Sequence, residues 1–262
     1  MPLTHRLLTT ITALYVAGLT GLLITQELSS GPHWSFALLR ELLAFTFIPL
    51  PGLLLAALIT RAQPVLVLLT VPAIAFIGLF GELFVPSTSA SASGTAFVIR
   101  THNVAPRNED AEAEPLAIQR DQPDVVVLQE LNRQFAEGLT AEIGPQYPHR
   151  ALRPSDHDEG YGILSQHPLS GDACMRPLAE SRCWQYTTVS VGTQPITVVN
   201  VHARNPAIAT VQPRWAFGQL PVRYDTSLRE REIRAAVEWL DQLPRPLIVA
   251  GDFNLAPHTS AH

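Results

Sequence analysis

The stretch DVVVLQE, residues 124–130, decides how the fold is read. Four consecutive apolar residues, three of them β-branched, run directly into Gln129 and Glu130. A strand that is apolar on both faces belongs in a sheet covered on both sides, the arrangement of α/β folds. Working outward, three other stretches have the same form. The β-rich run 97–104 contains THNV (101–104) and ends on Asn103. ITVVNVH (196–202) ends on His202, and LIVAGDFN (247–254) passes through Gly251 to Asp252 and Asn254. Ligands of open α/β sheets collect at such strand ends. Taken singly the residues are weak signals: an Asp after a Gly is often a turn, and a lone His is more often structural. Four polar strand ends together form a candidate site. Its Glu and Asn offer hard oxygen ligands, which favour Mg²⁺, with Mn²⁺ as an alternative, over Zn²⁺.

The segments between these strands alternate in character. Residues 115–122 and 131–143 suit helices, and 160–165 and 184–191 suit strands. The clearest helix is 225–243. Asp225, Thr226 or Ser227 can cap it; Ile233, Val237 and Leu240 form an apolar stripe; Pro244 and Pro246 end it. The connection 204–224 is rich in proline, arginine and aromatics, and is read as a surface loop or as a lid facing the membrane. Cys174 and Cys183 leave two readings open, free thiols or one disulfide across a hairpin, the latter requiring an oxidising compartment.

The first 85 residues differ from the rest. They carry six charged side chains: Arg6, Glu27, Arg40, Glu41, Arg61 and Glu82. Residues 7–25, 42–60 and 64–85 are each long and apolar enough to cross a bilayer core of roughly 30 Å. Pro49 and Pro51 are expected to kink the second span. The domain boundaries that follow are 1–86 for a three-helix transmembrane region, 87–96 (STSASASGTA) for a flexible linker, and 97–262 for a globular domain. The arginine bias puts the N-terminus, Arg6 and Arg61 inside, and everything after the third span outside the cell membrane. All 18 basic residues are arginine. The six N-terminal charges cancel, so the formal net charge of −5 falls on the globular part. A duplex-binding protein usually shows a basic footprint, so nucleic acid is the less favoured partner.

The motifs THNV, DVVVLQE, YGILSQHPL (161–169), VVNVHA (198–203) and LIVAGDFN, in that order, resemble the endonuclease/exonuclease/phosphatase superfamily. With three membrane helices in front, the chain looks closest to bacterial membrane proteins related to the teicoplanin-resistance phosphatase. The resemblance implies a two-sheet α/β sandwich and metal-dependent hydrolysis of a phosphorylated substrate, there a lipid-linked pyrophosphate. It implies Glu130 as main metal ligand with Asn103 beside it. His202 would bond the scissile phosphate, Asp252 would orient water or a histidine, and Asn254 would stabilise phosphoryl charge. The family pattern continues to a late Asp and a Ser-Asp-His motif. Neither follows here, and His258 and His262 stand too close to GDFN to replace them. The expectation is therefore a C-terminally incomplete domain with an exposed sheet edge and little activity. A nuclease of the same fold and an inactive membrane protein are the alternative readings.

Overall fold

The computed structural model describes residues 3–28, 34–85, 96–105, 113–212 and 218–255. Its N-terminal part is helical. Helix α1 (Leu3–Leu28) is followed by the short α2 (Trp34–Glu41), a 3-10 turn (Leu43–Phe47), α3 (Pro49–Thr60) and α4 (Gln63–Phe80). Three segments are long and apolar enough to cross a membrane by length and composition: Leu3–Thr25, Leu43–Thr60 and Gln63–Phe84. They turn much of their apolar surface outward. Leu14, Leu55, Leu58, Ile74 and Ile77 are exposed, while Leu69, Val65 and Phe47 pack inside. The second span is not a kinked helix. It is a 3-10 turn and then a fresh helix starting at Pro49, because proline at the first helical position gives up an amide that needs no partner there. Arg61 closes α3 in the left-handed conformation.

The globular part is two four-stranded sheets face to face. The first has the order β1-β2-β4-β3, from β1 (Ile99–Asn103), β2 (Val125–Gln129), β3 (His149–Arg153) and β4 (Tyr161–Ser165). The second has the order β10-β7-β6-β5, from β5 (Leu169–Met175), β6 (Trp184–Val191), β7 (Gln194–His202) and β10 (Leu247–Asp252). Pairs β1–β2 and β7–β10 are parallel, and the other pairs are antiparallel.

Alternation along β2 explains its unbroken apolar run. Val125 and Val127 face Val189 and Val198 of the second sheet. Val126 and Leu128 face outward onto α5 (Ala113–Asp121) and α6 (Arg133–Ile143), among Ile118, Phe135, Leu139 and Ile143. On the far side Val199 and Val201 meet α7 (Ser227–Leu240) through Ala236, Trp239 and Leu240. The layers are thus helix, sheet, sheet, helix. The α7 stripe differs from expectation at one place: Val237 is exposed, and Ala236 takes the buried position beside Ile233. The helix also turns Arg229 and Glu232 inward.

The connection 204–224 contains two strands that its composition hides. Strands β8 (Ala207–Val211) and β9 (Leu220–Asp225) form a separate ribbon, and β9 packs on α2. Trp215 and Phe217, the linker residues 87–95, His258 and His262 lie outside the described residues. Cys174 and Cys183 are joined in a disulfide, Cα to Cα 5.5 Å, which closes the β5–β6 connection.

Candidate active site

Parallel pairing aligns the strand ends. Register sets Asn103 beside Gln129, the residue before Glu130, and Asp252 beside His202. Edge strands β1 and β10 of the two sheets lie against each other, so both pairs meet at one end of the sandwich. Within the second sheet, Gly251 lets β10 lie close against β7. Its φ is +147°, and a Cβ there would lie 2.1 Å from the carbonyl oxygen of Val201. Two site residues occupy left-handed backbone without being glycine, Glu130 at φ +54° and Asn254 at φ +51°. Such conformations cost about 1–3 kcal/mol and persist where the surroundings hold them.

The side chains of four of the five sequence candidates touch or nearly touch. The Asn103 amide Nδ2 donates to Glu130 Oε1 at 3.1 Å and to Asp252 Oδ2 at 2.9 Å. His202 Nε2 lies 3.4 Å from Glu130 Oε1 yet makes no hydrogen bond among the described residues, although the atom is buried. Asn254 stands one layer behind. Its backbone N–H donates to Asp252 Oδ1 at 2.9 Å, and its Nδ2 donates to the Ala203 carbonyl at 2.8 Å. Beneath the site a polar belt links the sheets. Gln129 Nε2 donates to Asn200 Oδ1 at 2.6 Å, and Asn200 Nδ2 donates to the Leu128 carbonyl at 2.9 Å. Buried polar groups of this kind must be satisfied, so the belt fixes how the two sheets register.

A residue that the motifs do not include adds to the electrostatics of the site. Arg182, almost fully buried, donates through Nη1 to the Ala203 carbonyl at 3.0 Å and through Nη2 to Asp158. That contact holds the Asp158 carboxyl below the usual carboxylate range. Burial, and then the Arg182 charge, push His202 down to about 4, against the opposing pull of Asp252 and Asp158. His202 is therefore neutral at pH 7, with a ring N–H rather than a positive charge to offer.

The donor chemistry fits a hard divalent cation. Two carboxylates, Glu130 and Asp252, converge on one amide N–H₂ group, that of Asn103. Turning the Asn103 amide over, at the loss of the Ala105 N–H bond to its Oδ1 at 3.1 Å, presents its oxygen to the same space and gives an all-oxygen set. Among the described residues no group of three or more His, Cys, Asp or Glu side chains forms a metal cluster; this set relies on an asparagine. Sequence reading missed Arg182, Asp158, Arg229 and Glu232. The signal was present for Arg229 and Glu232, which fall on the core-facing side of α7 at the spacing of Ile233 and Ala236.

Fold and site together define a two-sheet α/β protein with phosphate- and metal-suited residues at its strand ends. The chain belongs to the Endonuclease/Exonuclease/phosphatase family, whose profile matches residues 101–262. Members of this superfamily are phosphoester hydrolases. Among solved structures, the chain is similar to sphingomyelinase C from Streptomyces griseocarneus at 20% identity, TM-score 0.44, covering 64% of this chain and 68% of that one. It is similar to humanized D. rerio TDP2 at 18% identity, TM-score 0.48, covering 62% and 67%. An endonuclease/exonuclease/phosphatase from Beutenbergia cavernae DSM 12333 gives 19% identity, TM-score 0.46, covering 63% of this chain and 51% of that one. No curated protein matches the chain.

Proposed function

We propose that the chain is a membrane-anchored, metal-dependent phosphoester hydrolase acting on a phosphate carried by a lipid, such as a lipid-linked pyrophosphate. The observation that carries this reading is the convergence of Asn103 on both Glu130 and Asp252, with His202 Nε2, which has no hydrogen-bond partner among the described residues, 3.4 Å from Glu130. Glu130 and Asn103 are the residues that would hold Mg²⁺ or Mn²⁺. A divalent cation, when bound, neutralises phosphoryl charge and polarises phosphorus towards attack.

The chain's own groups have separate tasks. The Asn254 amide donates to Asp252 Oδ1, a bond that holds the carboxylate in direction whichever way the Asn103 amide is turned. Fixed in this way, Asp252 orients the attacking water and takes its proton as the P–O bond to the leaving group breaks. Neutral His202, protonated on Nε2, donates to a phosphoryl oxygen, and Asn254 supports the charge that builds there.

One contact supports the three-span anchoring, and one covalent bond supports the outward-facing domain. The three spans leave α2, between the first and second, on the same side as the domain that follows the third. The packing of α2 on β9 requires that same-side placement. The Cys174–Cys183 disulfide suits an oxidising compartment. The division into residues 1–86, a linker at 87–96 and a domain from 97 belongs to the same reading. The acidic balance of the globular part favours this reading over a nuclease.

The test uses the full chain in proteoliposomes. Lipid phosphates and pyrophosphates are compared with an oligonucleotide, with Mg²⁺ or Mn²⁺ and with chelator. Hydrolysis of a lipid phosphoester that chelation abolishes is expected. Faster cleavage of the oligonucleotide contradicts the lipid assignment.

A further inference from the structure

A buried ion pair joins the membrane region to the candidate site. Arg229 Nη2 donates to Glu41 Oε1 at 2.6 Å, across 188 residues of sequence. Both side chains are withdrawn from water, Arg229 at 3% and Glu41 at 15% exposure. Glu41 is the last residue of α2, and the apolar span from Leu43 starts two residues later. The other arm of the guanidinium does different work. Its Nη1 donates to the backbone carbonyl of Asn254, while Nε is buried with no hydrogen-bond partner among the described residues. Tyr224 on β9 is buried beside the pair, and burial together with the Glu41 charge raises its phenol above the ordinary value.

These contacts form a continuous line. Glu41 holds Arg229, Arg229 holds the Asn254 carbonyl, and Asn254 holds the Asp252 carboxylate through its own amide. The grip falls on a residue with left-handed backbone, φ +51°, which needs its surroundings to stay there. A planar guanidinium presents donors in a fixed fork, so it can span two acceptors that a lysine ammonium, a single point charge, cannot bridge rigidly. An arginine this buried is tolerated only while paired; loss of one partner strands the charge of the other. The globular domain therefore draws the counter-charge of its loop-holding arginine from the membrane region.

We propose that Arg229 is a positioning residue for the Asp252–Asn254 loop, and that Glu41 sets its grip, so that the loop keeps its shape only while α2 stays docked on the domain. The inference rests on the reading of Asp252 and Asn254 as site residues. It goes further by making the membrane region part of the site's framework, beyond its role as an anchor.

The experiment uses the full chain in lipid nanodiscs. Hydrogen exchange is followed in the peptide covering 250–255 and, as an internal reference, in β2. Glu41→Gln keeps shape and removes charge; Arg229→Lys keeps charge and removes the fork. For Glu41→Gln, exchange in 250–255 is expected to rise by about tenfold, the loss of one charged hydrogen bond, while β2 stays unchanged. Arg229→Lys, which removes the direct bond to the Asn254 carbonyl, is expected to raise it by at least as much. Turnover of bis(p-nitrophenyl) phosphate should fall in kcat with KM nearly constant. Unchanged exchange at 250–255 overturns the proposal. So does a rise that β2 shares, because that pattern means general destabilisation. The expected exchange pattern in a chain without turnover supports the positioning link and counts against the hydrolase reading alone.

Discussion

At the scale of single residues, the candidate site rests on a few atoms with little freedom. His202 is neutral because burial outweighs its acidic neighbours, which lower the cost of charging it only in part. Its titration makes the metal-free protein sensitive to acid. The folded value is about 4, below the ordinary 6.5, so the unfolded chain takes up the proton first. The stabilisation is fully present above pH 6.5 and is lost as pH falls towards about 4, on the order of 3 kcal/mol in all. Urea unfolding at stepped pH should show this loss, and His202→Gln should remove most of it; a variant with the same acid dependence as the parent contradicts the assignment. Gly251 is a second fixed point. Its φ of +147° and the 2.1 Å approach to the Val201 oxygen leave no room for a methyl group. Gly251→Ala is expected to cost at least about 2 kcal/mol, read as a lower unfolding midpoint. A midpoint equal to that of the parent would show that β10 and β7 can separate without loss.

At the scale of elements, the sequence was most legible where the environment is simplest. Residues 124–129 read as a doubly covered strand because both faces of β2 meet apolar layers. The polar ends of β1, β2, β7 and β10 were legible as a group because parallel strands bring their carboxyl ends to one side. The ribbon β8–β9 was not legible. Its residues are mostly exposed, so no burial pattern imprints a period of two on Ala207–Val211. Arg229 and Glu232 were overlooked for the opposite reason. Their burial depends on partners distant in sequence, Glu41 for the first and the Arg204 amide for the second, at 2.6 and 2.7 Å. Their spacing on α7 reports that they face inward, and it cannot report the partners that make this burial tolerable. Helix α6 offers a test of a purely local contribution. The Asn132 side chain accepts from the Phe135 amide at 2.7 Å as an N-cap. Asn132→Ala is expected to cost about 1 kcal/mol in chemical denaturation, and Asn132→Asp close to nothing.

At the scale of the whole molecule, apolar spans, ribbon and sandwich form one arrangement. The spans expose large side chains such as Leu14, Leu58 and Ile74, as a lipid environment allows. The domain meets them through α2, whose terminal Glu41 reaches the helix that flanks the second sheet. An outward-facing domain predicts that a cysteine placed at Ser89 is labelled in intact cells by a membrane-impermeant maleimide. Labelling only after lysis would reverse the orientation. The Cys174–Cys183 bond should appear in non-reducing mass spectrometry of purified protein. The central claim is that Glu130 and its neighbours form a metal-dependent phosphoester site. It is tested most directly by Glu130→Gln in the full membrane-embedded chain, assayed for Mg²⁺-dependent phosphoester hydrolysis beside the parent. The account predicts a loss of roughly 10²-fold or more with the fold intact. A Glu130→Gln chain that turns over at the parent's rate contradicts it.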